Sequence, residues 1–344
     1  MPRDLSIIPV EDSFGAAADP ALPTVALALD RTTACAAFKR GLPRLAGPRG
    51  IVRVKGIKVT RHKPGKRAVI EYEVRVDREG GEREWVTLIG KIRARRYGNE
   101  ACRLQELIWD AGFQAGSADG VSVPEPIGVL PELRMWLQRK VPGEVAGGAF
   151  TGRGGLALAR CVAWGIYKLH RANVPTDREH TLTDELRILH ECLANVGAAR
   201  ADLKARLDKI LAACDRLGAS IPKPDACGIH RDFYPAQVIV DGARLNLIDF
   251  DLYCLGDPAL DAGNFIGHMI EESLRSRGHA DALRNYEQAL EDRFVELSGE
   301  AKRPAVRAYT TLTLVRHIYL STLFPERAPF TEKFLALCEE RLGG

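Results

Sequence analysis

One stretch limits this chain more than any other: GIHRDFYPAQVIVDGARLNLIDFDLYCLGDPALDAGNF, Gly228 to Phe265. Two short apolar runs, QVIV and RLNLI, are joined at Asp241-Gly242, a residue pair typical of tight hairpins. A tight hairpin sets the outer ends of its strands side by side. Gln237 begins the first strand and Asp249 leaves the second, while Asp232 lies on the loop that His230 opens. Folding this stretch therefore brings an amide oxygen and a carboxylate together, with a second carboxylate nearby. Oxygen donors of that kind suit Mg²⁺, which takes one or two carboxylates along with phosphate oxygens and water. Any single Asp here reads as a strand cap or a solvated loop acid; the joint spacing points to chemistry.

The 344 residues correspond to about two domains at roughly 150 residues each. Hydrophobic residues are 46% and charged residues 27%, ordinary values for a globular chain. A formal net charge of +4 is too mild to imply nucleic acid. The charge is uneven: Arg53 to Arg96 is basic and Asp232 to Asp261 is acidic. That division suits an anion held through acid-bound metal. Eight scattered cysteines with no C-x-x-C pair read as free thiols in a reducing cytoplasm and exclude an evident zinc site. No signal peptide is expected from MPRDLSIIPVEDSFGAAADP, and no run of about 18 apolar residues predicts a membrane span.

Pro and Gly make residues 1–23 an irregular arm, followed by a short helix capped by Asp30 or Thr32. IVRVKGIKVTRH, RAVIEYEVRV and EWVTLIGKIRARR alternate as three antiparallel strands, with HKPGK and DREGGE as their turns. A helix is predicted over NEACRLQELIWDAGF, with Glu100, Leu104, Leu107 and Ile108 on one face and Glu106 on another. VPEPIGVL and LRMWLQRKVPGE are two further strands, and from about Gly152 the chain is mainly helical. The fold class is α+β: an N-terminal antiparallel β lobe with one helix, then a mainly helical lobe. The expected divisions are residues 1–50 (arm and short helix), 51–143 (β lobe with hinge) and 144–344 (helical lobe).

His-Arg-Asp, an amide five residues after the Asp, a hairpin and then Asp-Phe-Asp resembles the kinase arrangement H-R-D-x-x-x-x-N followed by D-F-G. HRDFYPAQVIV and LIDFDLYCLGDPALDAGNF together resemble the aminoglycoside phosphotransferase family, within the protein-kinase-like fold. That group also holds choline, maltose, fructosamine, homoserine and methylthioribose kinases. The resemblance covers roughly residues 50–330. Position 251 is Asp where a protein kinase has Gly, and there is no A-P-E motif, so a protein kinase is disfavoured. The resemblance implies a bilobal fold that moves the γ-phosphate of ATP, with Mg²⁺, to a hydroxyl of a small molecule such as an aminoglycoside, a sugar or a choline-like alcohol. It makes Asp232 the catalytic base and Asp249 a metal ligand. Gln237 replaces the usual Asn as the second ligand, and Asp251 reaches metal or substrate. His230 is expected to pack and hydrogen-bond the loop rather than react. Asp257 and Asp261 are expected to anchor the loop or cap the next helix.

On the nucleotide side, Lys91 in the third strand is the candidate for the α and β phosphates, with Arg93 on the same face. Helical phase favours Glu100 as its partner, and distance along the chain favours Glu106. The turn HKPGKRA, with Gly65 and Lys66, is expected to cover the phosphates. The backbone at Gln138, Arg139 and Lys140 is expected to meet the adenine edge. Asp184, Glu185, Glu271 and Glu272 either attract a cationic acceptor or are solvated helix faces. The competing reading is a catalytically impaired kinase-like module used for binding. Retained Asp232, Asp249 and Lys91 weigh against it, and Gln237 is its only support. The expected protein is cytoplasmic, binding no nucleic acid and no membrane.

Overall fold

The computed structural model describes residues 8–40, 42–94, 98–152 and 154–343. Residues 1–7 of the predicted arm and Arg95–Arg96 of the predicted third strand lie outside them. The chain divides into two compact units, Met1–Pro142 and Gly143–Gly344.

The first unit is built on a twisted sheet. Strand β1 (Val10–Glu11) pairs parallel with β2 (Ile51–Lys63). Antiparallel neighbours follow: β3 (Arg67–Asp77) and β4 (Arg83–Arg93). The order continues to β7 (Met135–Arg139) and β6 (Pro126–Leu130), with a short β5 (Val121–Ser122) preceding them in sequence. Alternation decides the faces, because successive side chains point to opposite sides. Ala68, Ile70, Tyr72, Val74 and Val76 of β3 are all fully buried. They pack under α1 (Thr24–Leu29), α2 (Arg31–Arg40) and α3 (Pro43–Ala46). The Tyr72 hydroxyl donates to the Ala28 carbonyl at 3.0 Å, and its ring lies 4.7 Å from Phe38. Asp30 separates α1 from α2 and accepts the Thr33 amide at 2.8 Å, the capping expected of it. Within residues 8–46 the chain thus forms a short strand and three helices where an irregular arm and one short helix are expected. Helix α4 (Asn99–Asp110) completes the unit.

The second unit is mainly helical: α5 (Ala146–Ala149), α6 (Gly155–Arg171), α7 (Leu182–Ala199) and α8 (Lys204–Ala219), then α9 (Pro258–Arg277), α10 (Arg284–Ser298), α11 (Arg303–Leu323) and α12 (Thr331–Gly343). Helix α9 is buried almost all round over Pro258–Gly267, the mark of a central core helix. It packs on α11, which also meets α7 and α12. A capping box starts α7: the Thr181 hydroxyl accepts the Asp184 amide, and Asp184 accepts the Thr181 amide at 3.0 Å. Two small antiparallel ladders carry the functional loops. One joins β8 (Glu144–Val145), β10 (Val238–Asp241) and β11 (Arg244–Leu247); the other pairs β9 (Cys227–Ile229) with β12 (Cys254–Gly256). None of the eight cysteines forms a disulfide. Among the described residues no helix is long and apolar enough to cross a membrane.

Candidate active site

The hairpin forms as its sequence dictates. Asp241 stands opposite Arg244, so Gly242 and Ala243 make the two-residue turn. At the other end Val238 faces Leu247, and the Ile248 amide donates to the Gln237 carbonyl at 3.0 Å. That bond brings the start of one strand to the end of the other. Gln237 is buried, and its Nε2 lies 3.5 Å from Asp232 Oδ2. Asp249 follows Ile248 with φ 65°, a left-handed conformation that costs a non-glycine residue roughly 1–2 kcal/mol.

Burial pushes the Asp232 carboxyl above the usual carboxylate range, and the negative charge of Asp249 pushes it the same way. His230 and Arg316 offset part of this. Two carboxylates that repel one another beside an amide are a setting a cation would relieve. Among the described residues no three His, Cys, Asp or Glu side chains converge as a metal cluster. Carboxylate and amide oxygens are the donor types that suit a hard ion such as Mg²⁺. Asp251 lies in the 3-10 turn Phe250–Leu252, where its carbonyl accepts Arg178 Nη1 at 2.7 Å.

The loop bearing Asp232 is pinned from below by Asp261 of α9, which is fully buried. Its Oδ2 accepts the His230 amide at 2.8 Å and its Oδ1 the Arg231 amide at 2.7 Å. His170 Nε2 of α6 lies 2.9 Å from Oδ2. Arg231 is held at φ 70° by this grip. The His230 ring is buried, tilted against Phe233 and Phe250, with Nε2 2.9 Å from the Ile248 carbonyl. It packs and holds the loop, as expected. Asp257 caps α9, accepting the Ala259 amide at 2.9 Å. Asn264 of the same helix donates to the Phe233 carbonyl at 2.8 Å.

In the first unit Lys91 and Arg93 share one face of β4, as alternation requires. Lys91 stands opposite Trp136 of β7, with Nζ 4.9 Å from that ring's centroid. Helix α4 begins against the same ring: a Cβ on Gly98 would meet Trp136 at 2.8 Å, so only glycine fits there. Of the expected face of Glu100, Leu104, Leu107 and Ile108, the helix buries Ile108, half-buries the two leucines and exposes Glu100; Cys102 and Gln105 are its other buried residues. For Gln105 the reason is polar: its Nε2 donates to the buried Pro124 carbonyl at 2.8 Å. Glu100 is exposed, and Glu106 accepts Arg44 Nη1 at 3.4 Å.

The β2–β3 turn has Gly65 at its tip with φ 68°, which glycine adopts without penalty. Its amide donates to Asp19 Oδ2 at 2.8 Å, and His62 Nε2 lies 2.8 Å from the same oxygen. The Lys66 amide donates to the Lys63 carbonyl at 3.0 Å. Asp19 lay in a segment read as irregular, and no local pattern marks it. At the end of β7, Gln138 is buried. The amides of Arg139 and Lys140 already donate to the Glu125 and Thr87 carbonyls at 2.9 Å each. Their side chains pair with Glu125 and Glu84, and with Glu71. The expected backbone recognition at Gln138–Lys140 thus loses two of its donors to the sheet; the next amide is that of Val141.

The sequence pattern of the phosphotransferase enzyme family (APH) matches residues 73–305. No curated protein matches the chain in sequence. Solved structures of similar fold include a choline/ethanolamine kinase family protein from Mesorhizobium loti, with 18% identity over 91% of this chain and 95% of that one and a TM-score of 0.56. A thermostable mutant of aminoglycoside phosphotransferase APH(4)-Ia, bound to ADP and hygromycin B, has 15% identity over 85% and 94%, with a TM-score of 0.55. Choline kinase from Cryptosporidium parvum has 13% identity over 82% and 88%, with a TM-score of 0.54. At these identities the likeness is one of fold, which is α+β and protein-kinase-like.

Proposed function

The chain belongs to the phosphotransferase enzyme family, and from that we propose that it transfers the γ-phosphate of ATP, with Mg²⁺, to a hydroxyl of a small molecule. The observation that carries this reading is the meeting of Asp232 with Gln237 at 3.5 Å, beside Asp249. In this reading Asp232 accepts the proton of the acceptor hydroxyl. The acceptor oxygen bonds to the γ-phosphorus, the bond from that phosphorus to its bridging oxygen breaks, and ADP leaves with the electron pair. A bound Mg²⁺ would supply positive charge that offsets the charge of the phosphate oxygens.

Asp249 and the Gln237 side-chain oxygen would hold that ion, with Asp251 in reach of metal or substrate. Gln237 supplies the same amide oxygen as asparagine, one methylene further out. Lys91, seated on Trp136, is assigned to the α and β phosphates, with the Gly65–Lys66 turn over them. The Lys91 counter-charge is assigned to the α4 carboxylates Glu100 or Glu106, of which Glu106 already shares Arg44. Adenine recognition is assigned to the backbone from Gln138 through Lys140, extended to Val141. ATP use and eight unbridged cysteines favour the cytoplasm.

The test is ADP release from MgATP across a panel of amino, sugar and choline-like alcohols. The reading expects acceptor-dependent release that Asp232→Asn removes while nucleotide binding persists. Nucleotide binding with no transfer to any acceptor would favour a binding module.

A further inference from the structure

Resting on the phosphotransferase reading, we propose that the acceptor of this chain is a hydroxy acid: Arg316, beside the Asp232 loop, receives the acceptor's carboxylate or phosphate, with Tyr234 and His268 as the apolar wall. The argument begins with the acids a cationic acceptor would need. Asp184 is committed to the capping box of α7. Glu185 is buried, with His180 Nε2 at 2.5 Å and Arg316 Nη1 at 3.6 Å. Glu271 is buried and shared by two guanidinium groups, Arg275 Nε at 3.1 Å and Arg327 Nη1 at 3.8 Å. One carboxylate between two arginines leaves positive charge in excess. Glu272 lies over Gly147 of α5, where an added Cβ would stand 3.2 Å from its Oε2.

Arg316 is held by Asn264 of α9, which also holds the Asp232 loop. Asn264 donates to the Phe233 carbonyl, next to Asp232, and its Oδ1 accepts Arg316 Nη2 at 2.6 Å. The Arg316 side chain keeps 21% exposure. Its planar fork suits a carboxylate or phosphate better than any other side chain does. Tyr234, two residues after Asp232, stacks on His268 of α9 at 4.7 Å and 24°. His317 closes edge-on behind it at 4.6 Å, with a buried Nε2 that has no hydrogen-bond partner. Burial first, then Arg316 and Arg327, hold His268 neutral, with its pKa down to about 3. The wall is therefore an uncharged aromatic surface edged by arginines. A polyamine would meet those arginines where Glu185 and Glu271 are already paired with them.

The test uses thermal stability and turnover with Mg²⁺ and AMP-PNP or ATP, at matched ionic strength. Gluconate and glycerate are the acidic probes, choline and kanamycin the cationic ones, and glucose the neutral one. At about 10 mM, gluconate or glycerate should raise Tm in the presence of AMP-PNP and support ADP release, while the cations do neither. Arg316→Gln should raise the KM of that acid by about tenfold or more, and Arg316→Lys should restore part of it. The AMP-PNP stabilisation should be unchanged in both variants, which shows that they are folded. A higher kcat/KM for choline or kanamycin than for either acid overturns the proposal. So does an acid KM equal in Arg316→Gln and wild type, and so does silence of both acids. Absence of AMP-PNP stabilisation in the wild type would instead remove the phosphotransferase reading on which the proposal stands.

Discussion

Asp19 and Gly65 are 46 residues apart in sequence and joined in space, the carboxylate of one accepting the amide of the other at 2.8 Å. The same oxygen meets His62, and Asp19 Oδ1 accepts the Ala21 amide at 2.9 Å. The Gly65 amide first, then His62, holds the Asp19 carboxyl below the usual carboxylate range. An N-terminal side chain thus sets the tip of the turn assigned to the ATP phosphates.

Asp19→Ala should free that turn. A loose turn orders itself only at the expense of nucleotide binding, so the KM for ATP should rise severalfold while the acceptor KM stays put. Steady-state kinetics with each substrate varied in turn separates the two. Equal ATP KM values would dismiss the turn from phosphate binding.

Lys91→Ala should weaken ATP more than adenosine, since only ATP presents the phosphates the ammonium is assigned to meet. Isothermal titration with both ligands reads the difference. The same loss for both would mean that removal of the cation from the Trp136 ring had disturbed the sheet generally.

Asp232→Asn should lower turnover by about 10²–10⁴-fold, the usual contribution of a general base. It should also stabilise the protein at pH 7. Burial and Asp249 raise the folded-state pKa of Asp232 above its unfolded value, so the fold favours the protonated carboxyl. That stability is fully present below the unfolded pKa and is lost as pH rises through the raised folded one. Asparagine imitates the protonated form at every pH. The variant's Tm should therefore exceed that of wild type at pH 7, and the gap should close in acid. A Tm gap that widens in acid would reverse the assignment.

Gln237→Ala should raise the Mg²⁺ concentration needed for activity and leave metal-free nucleotide binding nearly unchanged. Gln237→Asn should also lose activity, because the shorter chain withdraws from a site shaped for glutamine, and Mg²⁺ tolerates misplacement poorly. If instead the Nε2 contact to Asp232 is all this residue provides, the alanine variant will melt earlier with an unshifted Mg²⁺ titration.

Much of the site was legible because its parts are close in sequence. Hairpin and acids lie within Gly228–Phe265, so local spacing fixes their meeting. Lys91 and Arg93 followed from strand alternation. What escaped depends on partners far away. The inward face of α4 is legible only in part: Ile108 follows from the apolar pattern, while the burial of Gln105 depends on the distant Pro124 carbonyl. Glu185 and Glu271 looked like acids open to an amine or to water, and both are buried on arginines and histidine from other elements. Asp19 sits among residues whose local pattern reads as irregular, and only the fold reveals what its carboxylate grips.

Asp261 has a wider bearing. One buried side chain on α9 receives two amides of the Asp232 loop and the ring of His170 from α6. The left-handed turn at Arg231 is therefore supported by a side chain of α9 that is itself held by α6. A chain that has lost part of its helical packing should therefore fall silent altogether, with no leaky intermediate that splits nucleotide without an acceptor. On the phosphotransferase reading, the grip of Asp261 would thus tie phosphate transfer to intact packing of α6 and α9.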